Sequence, residues 1–287
     1  MAVNTVKYPL QLRLCTFNMH GFGNGLAMAQ QLCLDHDLIL LQETWLSNAN
    51  LYKLNSIDSG FCSFGLSGME TKLAEGILVG RPFGGIGILW KNCLSHNITI
   101  VYKEDAHGRL LSLKLQGLGV RDIIISCTYF PCHKVTNDYF LELSDTLACI
   151  ENVLIDHPDA DHIIAGDLNF ECYSGISGYE QLCPIINQYD LLCCDKYVTN
   201  FAYTYHHVGL DHYSWLDHLF VSNGFKDQVS QCQIIDSGCN MSDHMPLSCV
   251  LTIQQQIVAG LSEPSMAKYS RLRPLYKFRW DKADLVG

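Results

Sequence analysis

Ten short apolar runs, at 10–18, 37–43, 85–90, 97–103, 109–116, 121–130, 161–166, 216–222, 231–236 and 246–253, constrain this chain more than any other feature. Each has the length of a strand, and several are apolar at nearly every position, as strands covered on both faces are. Helical patterning is confined to 25–36, to 137–156 with Asn137 as its cap, and to 176–190. So many strands with so few helices predict an α+β protein, a four-layer α/β/β/α sandwich of two mostly antiparallel or mixed sheets flanked by helices.

Several of these runs end on a polar residue of a particular kind. Leu12-Arg13-Leu14-Cys15-Thr16-Phe17 ends at Asn18, and Leu38-Ile39-Leu40-Leu41-Gln42 ends at Glu43. The run His162-Ile163-Ile164-Ala165 leads through Gly166, which lets the backbone turn, to Asp167 and Asn169. A carboxylate and an amide at strand ends suit a hard cation such as magnesium better than zinc, so Asn18 and Glu43 are candidate metal residues. Phosphodiester hydrolysis needs such a cation, a positioned water and charge stabilisation for the departing oxygen. In Ser242-Asp243-His244-Met245-Pro246, His244 is the natural acid–base or phosphate-contacting group, and a buried carboxylate such as Asp217 could fix its tautomer. Asp243 then adds a second charge beside the metal. Each piece has a plainer reading: Asp-x-Asn after a strand makes turns and helix caps, and Ser242 could cap a turn. Their ordered combination carries the argument.

That order, Thr-Phe-Asn18, Leu-Gln-Glu43-Thr, Thr-Tyr129-Phe-Pro, Gly-Asp167-Leu-Asn169, Trp-Leu-Asp217-His and Ser-Asp243-His244-x-Pro, resembles the endonuclease/exonuclease/phosphatase superfamily over about residues 10 to 253. The resemblance implies that Asn18 and Glu43 bind or support the metal, with Asp243 near enough to contribute. It implies that Asp167 orients or activates the attacking water, that Asn169 helps hold water and phosphate, that Tyr129 contacts the scissile phosphate and that Asp217 pairs with His244. Magnesium is the implied cofactor, with manganese as a substitute. One departure follows Tyr129: relatives acting on abasic DNA commonly read Tyr-x-Pro-Asn, whereas this chain reads Tyr129-Phe130-Pro131-Cys132-His133, which argues against strict abasic-site repair and leaves His133 as a substitute polar contact.

Within the superfamily, Gly108-Arg109-Leu110-Leu111, Tyr203-Thr204-Tyr205 and Ser214-Trp215-Leu216-Asp217 are similar to the endonuclease domain of non-long-terminal-repeat retrotransposons. On that resemblance Arg109, Thr204 and Ser214 are candidate substrate-binding residues. The tail Tyr276-Lys277-Phe278-Arg279-Trp280-Asp281 looks like a connector toward a reverse transcriptase. The implied activity is a nick in target DNA that leaves a 3′ hydroxyl, with DNA and a reverse transcriptase outside this chain as partners. Two rivals stay open: a phosphatase or lipid phosphodiesterase of the same superfamily, and a domesticated binding module without turnover.

The 287 residues fit one catalytic domain at 10–253, followed by a linker and basic tail at 254–287 that opens on Gln254-Gln255-Gln256 and holds Lys268, Arg271, Arg273, Lys277, Arg279 and Lys282. The net charge of -10 is awkward for a nucleic-acid partner, although several acids belong to the proposed metal site. The 14 cysteines form no pair of Cys-x-x-Cys units and read as reduced, mostly buried thiols. Without a secretory or membrane-spanning run, the expected location is intracellular, and nuclear when the protein acts on DNA. The aromatic stretches 201–207 and 212–215 flank Gly209 and suggest a hairpin whose tip enters a DNA groove.

Overall fold

The computed structural model describes residues 6–74, 76, 80–103, 107–132, 136–172 and 179–257. His133, the basic tail and the start of the expected helix at 176–190 lie outside these residues.

Two six-stranded sheets carry the fold. In chain order the strands are β1 (Val6–Asn18), β2 (Leu38–Gln42), β3 (Phe61–Leu66), β4 (Ile86–Lys91), β5 (Ile98–Tyr102), β6 (Leu110–Leu115), β7 (Ile123–Tyr129), β8 (Asp161–Asp167), β9 (Leu191–Cys193), β10 (Tyr205–His207), β11 (His212–Ser214), β12 (Asp217–Ser222), β13 (Val229–Ile234) and β14 (Leu247–Ile257). The first sheet has the order β13-β14-β1-β2-β4-β3, the second β5-β6-β7-β8-β12-β9, and β10 and β11 form a separate hairpin. Each large sheet has one parallel pair at its centre. Helix α1 (Phe22–Asp35) crosses between parallel β1 and β2, and α3 (Asn137–Asp156) crosses between parallel β7 and β8. Among the described residues the remaining α-helices are the short α2 (Glu70–Ala74) and α4 (Tyr179–Gln188), and several 3-10 turns, the longest at Asn48–Ser56, join the strands.

Alternation along the central strands sorts side chains into layers. Leu12, Leu14, Leu38, Leu40, Ile125, Cys127, Ile163, Ala165, Leu219 and Val221 face the other sheet and form the central core. Their neighbours point outward: Cys15, Phe17, Ile39 and Leu41 pack under Met28 and Leu32 of α1, while Ile124, Ile164 and Phe220 pack with Leu143 and Ile150 of α3 and Ile185 of α4. The expected α/β/β/α sandwich is therefore the observed one.

Several local features differ from the sequence reading. Strand β3 escaped it because Phe-Cys-Ser-Phe-Gly-Leu is a partly exposed edge strand with no clean alternation, and Gly65 is needed where Leu54 packs against the backbone. Three-residue β9 is too short to show a period. Helix α3 is capped by Thr136 rather than Asn137, the Thr136 hydroxyl accepting from the Tyr139 N–H at 3.3 Å. The sheet also runs past both expected domain limits. Gln254, Gln255 and Gln256 pair with Pro9, Tyr8 and Lys7, so the glutamine run continues β14 instead of opening a linker. Backbone pairing to β1 supports this extension and asks for no apolar side chains.

Candidate active site

The same inward parity that builds the central core continues to the strand ends, and there it becomes polar. Asn18 follows Leu14 and Thr16 on the inward face of β1, and Tyr129, Asp167 and Asp217 occupy the corresponding inward positions on β7, β8 and β12. Register aligns three of them, since Tyr129 pairs with Asp167 and Asp167 with Asp217 across neighbouring strands. A row of polar groups thus crosses the second sheet opposite Asn18 of the first. Gly166 permits this row, because a Cβ there would collide with the carbonyl oxygen of Thr128 on β7.

Asp167 is buried and well supplied with donors. Asn18 Nδ2 donates to its Oδ2 at 2.8 Å, and the Asn169 N–H donates to its Oδ1 at 2.9 Å. Asn169 Nδ2 also donates to the Phe130 carbonyl at 2.8 Å, which fixes the amide across the β7–β8 ends. Burial still pushes the Asp167 carboxyl up to about 7, with His244 opposing that rise and Asp217 adding to it. His244 Nδ1 lies 2.8 Å from Asp217 Oδ2, and its Nε2 lies 3.8 Å from Asp167 Oδ2. Burial alone would lower the imidazole, but the neighbouring Asp217 and Asp167 carboxylates raise it to about 10. Asp217 thus holds the ring so that Nε2 faces Asp167.

Glu43 stands at the end of β2. It accepts from the Tyr129 hydroxyl at 2.6 Å and from the Trp45 indole N–H at 2.9 Å. Burial, and then Glu43, raise the Tyr129 phenol well above its ordinary value, so it stays a neutral donor. Cations line this edge despite the net charge of -10: the Arg81 guanidinium lies 5.1 Å from the Trp45 ring and that of Arg109 5.3 Å from the Tyr129 ring. Four of the non-glycine residues with positive φ gather here, His20 (47°), Glu43 (48°), Trp45 (55°) and Asn169 (53°). Left-handed backbone costs roughly 1–2 kcal/mol per such residue, and it collects where side chains must be aimed.

The remaining sequence candidates fall in different places. Asp243 is half-buried and its Oδ1 lies 2.7 Å from His20 Nδ1. Arg109 bridges to Glu142 of α3 and donates to the Tyr129 carbonyl at 3.3 Å. Ser214 lies in the hairpin, its hydroxyl 2.9 Å from His212 Nε2. Thr204 departs from its expected role as a substrate contact. It is fully buried, and its hydroxyl accepts from the backbone N–H groups of Leu216 at 3.0 Å and Asp217 at 3.1 Å. It anchors the Asp217 backbone, and its own N–H donates to the Ser214 carbonyl at 3.0 Å, tying the base of the hairpin to the start of β12. Trp45 and His20, which hold Glu43 and Asp243, were missed: an indole two residues from Glu43 is no sign of a hydrolase site, and His20 meets Asp243 only through a contact between residues 223 apart in sequence.

The donor set suits a divalent cation. Ligand atoms of Asp167, Asp217 and His244 lie within 4.8 Å of one another, and Glu43, just after β2, and Asp243, next to His244 in the segment before β14, add hard oxygen donors. Among the described residues Asp217 Oδ1 is buried without a hydrogen-bond partner, a condition that a cation or an ordered water relieves.

Two mixed sheets meeting at a row of carboxylates, amides and a carboxylate-oriented histidine define a metal-dependent phosphodiesterase. The chain belongs to the endonuclease/exonuclease/phosphatase family, whose model matches residues 15–244. A comparison with curated proteins finds no match. Among solved structures, it is similar to the AP endonuclease LMAP from Leishmania major (TM-score 0.65, 16% identity, 84% of this chain and 88% of that one). It is also similar to the endonuclease domain of TRAS1, a telomere-specific non-LTR retrotransposon (TM-score 0.59, 15% identity, 86% and 100%). A third likeness is to the 3′ phosphatase NExo from Neisseria bound to a product DNA hairpin (TM-score 0.60, 14% identity, 83% and 98%). At these identities the likeness is one of fold. Among the described residues no helix is long and apolar enough to cross a membrane.

Proposed function

We propose that this protein is a magnesium-dependent DNA endonuclease that nicks one strand and leaves a 3′ hydroxyl, as an initiating step of target-primed reverse transcription. The observation that carries the reading is the hairpin of β10 and β11 seated against the catalytic histidine. Tyr205 bridges to His244 through the backbone, and their rings are 4.9 Å apart. The Met245 N–H donates to the Thr204 carbonyl at 2.7 Å and the His206 N–H to the Asp243 carbonyl at 2.9 Å. The tip beyond projects Val208 and Leu210, 78% and 75% exposed, beside Tyr213. An apolar tip held this close to the reacting centre suits a groove with a floor of stacked bases, and a small phosphate ester has no use for it. The likeness to the retrotransposon endonuclease domain supports the same substrate, and DNA, together with a reverse transcriptase outside this chain, is the partner set that follows.

The residues then divide the work. Asp167, held by Asn18 and Asn169, takes the proton of the attacking water. His244 Nε2 meets the phosphate while Asp217 keeps Nδ1 engaged. Tyr129 and Asn169 position the phosphoryl oxygens. Water attacks phosphorus, the P–O3′ bond breaks with its electron pair on the 3′ oxygen, and that oxygen takes a proton from solvent water to leave as a hydroxyl. Glu43, supported by Asn18 and Asp243, would hold the magnesium ion, whose chemistry is neutralisation of charge on the phosphoryl oxygens. Arg109 and Ser214 flank the track of the DNA, at the Tyr129 edge and in the hairpin.

Conversion of supercoiled plasmid to open circles tests the reading. Nicking with magnesium is expected, with loss in EDTA and in Asp167→Ala and His244→Ala. Folded protein that leaves plasmid intact but hydrolyses phosphate monoesters or sphingomyelin would sink it in favour of the phosphatase or lipid phosphodiesterase, and silence on every substrate would favour the binding module.

A further inference from the structure

Behind the catalytic strands lies a second cluster of metal-ligating groups that the phosphodiesterase chemistry does not use. His218 follows Asp217 on β12 and, by alternation, faces the opposite side of the sheet, toward Phe170, Cys172 and Phe220. Ligand atoms of Cys172, Cys193 and His218 lie within 4.8 Å of one another. Asp195 lies outside that triplet but adjoins two of its members: the Cys193 thiol donates to its Oδ1 at 2.9 Å and His218 Nδ1 lies 2.9 Å from its Oδ2, while the Leu219 N–H and the Trp215 indole N–H also donate to the carboxylate, each at 2.9 Å. His218 and Asp195 are fully buried, and Cys172 is 8% exposed.

The other ring nitrogen is equally informative. His218 Nε2 lies 2.9 Å from the Phe170 carbonyl oxygen. A metal-bound histidine typically donates its second N–H to a backbone carbonyl or a carboxylate, which fixes the tautomer and aims the opposite nitrogen at the ion. Here that opposite nitrogen is Nδ1, the atom facing Asp195 and the thiols.

We propose that Cys172, Cys193, Asp195 and His218 form a structural site for zinc or a similar thiophilic divalent cation, distinct from the catalytic magnesium site. Two sulfurs, an imidazole nitrogen and a carboxylate oxygen make a complete tetrahedral set of the donor types zinc prefers. Bonds of about 2.3 Å to sulfur and about 2.0 Å to nitrogen and oxygen mean that the two thiols and His218, whose ligand atoms lie within 4.8 Å of one another, draw in around the ion and that Asp195 turns in with them. Loading displaces a proton from each thiol and from His218 Nδ1, leaving Asp195 and both sulfurs anionic; no electron is transferred and no oxidant is needed. The occupied site ties edge strand β9 to β12 and to the segment after Asn169, so it braces Asp167, Asn169 and Asp217 from behind. The two cysteines lie 21 residues apart in sequence, which is why Cys-x-x-Cys spacing does not betray them.

Cobalt(II) titration of the full chain, reduced and stripped with a chelator, tests this. Sulfur-to-cobalt charge-transfer absorption with intense visible bands, saturating at one cobalt per chain and displaced by zinc but not by magnesium, is the expected result. Asp167→Ala should retain the spectrum, which separates this site from the catalytic one, whereas Cys172→Ala and His218→Gln should lose it. Reduced wild-type protein that takes up no cobalt, or shows only weak octahedral bands, overturns the proposal whether or not the variants fold, and so does a full spectrum in Cys172→Ala.

Discussion

Replacing Thr204 by valine separates two roles that one residue could play. Valine keeps the shape and the β-branch and removes only the hydroxyl, which accepts from two backbone N–H groups at 3.0 and 3.1 Å. The Asp217 N–H is buried, so leaving it unpaired costs about 1–3 kcal/mol. Leu216 is half-buried and its N–H can be partly hydrated, so its share is smaller, and the sum is roughly 2–4 kcal/mol. For a domain of this size that corresponds to a fall in Tm of roughly 4–16 °C. Because Asp217 holds His244 at 2.8 Å, a shift in its backbone should also lower kcat more than it raises KM. Differential scanning calorimetry and steady-state nicking of a short duplex, with Thr204→Ser as the rescue, give both readouts. A Tm within about 1 °C of wild type together with a raised KM would refute the reasoning and restore Thr204 as a substrate contact.

Asp167→Asn should lower single-turnover nicking by about 10²- to 10⁴-fold, the usual worth of a general base, without lowering Tm, because burial, and then the Asp217 carboxylate, already penalise the charge that the substitution removes; a nicking rate within a factor of about three of wild type would contradict that role. The buried His218–Asp195 pair makes stability pH-dependent in the metal-free chain. Burial opposes both charges, but Asp195 raises His218 well above its ordinary value, and His218 helps hold Asp195 below its own. The histidine's contribution is therefore full below about pH 6.5 and lost as pH rises toward its raised value, while the aspartate's is full above about pH 4 and lost on further acidification. Apo-protein Tm should plateau between those limits and decline on the alkaline side, and a decline of equal size in His218→Gln would show that another group is responsible. Changing exposed Val208 and Leu210 together to serine should leave Tm unchanged and weaken binding to duplex DNA by about tenfold or more, since inserting one such side chain is worth about 1.5–3 kcal/mol; unchanged affinity in a gel-shift titration would remove the hairpin from the DNA interface.

The sequence by itself determined the layers and the chemical types at the site. Apolar runs of strand length on β1, β2, β7, β8, β12 and β14 must be covered on both faces, and that requirement alone leads to two sheets between helices. Polar residues closing those runs, Asn18, Glu43 and Asp167, were legible because a polar group placed next to a buried run needs a reason to be there, whereas Tyr129 was legible only through the family resemblance. Weaker elements were not legible: β3 and β9 exist because neighbouring strands offer them hydrogen bonds, and an edge strand needs little from its own side chains. Only the tertiary structure decided which donor meets which acceptor. It turned Thr204 from an expected substrate contact into an anchor, gave Asp243 to His20 and Glu43 to Tyr129, and set Cys172 and Cys193 against His218 on the far side of the catalytic strand. These pairings depend on register and on left-handed turns at strand ends, where a single residue's shift would turn each side chain to the other face of its sheet.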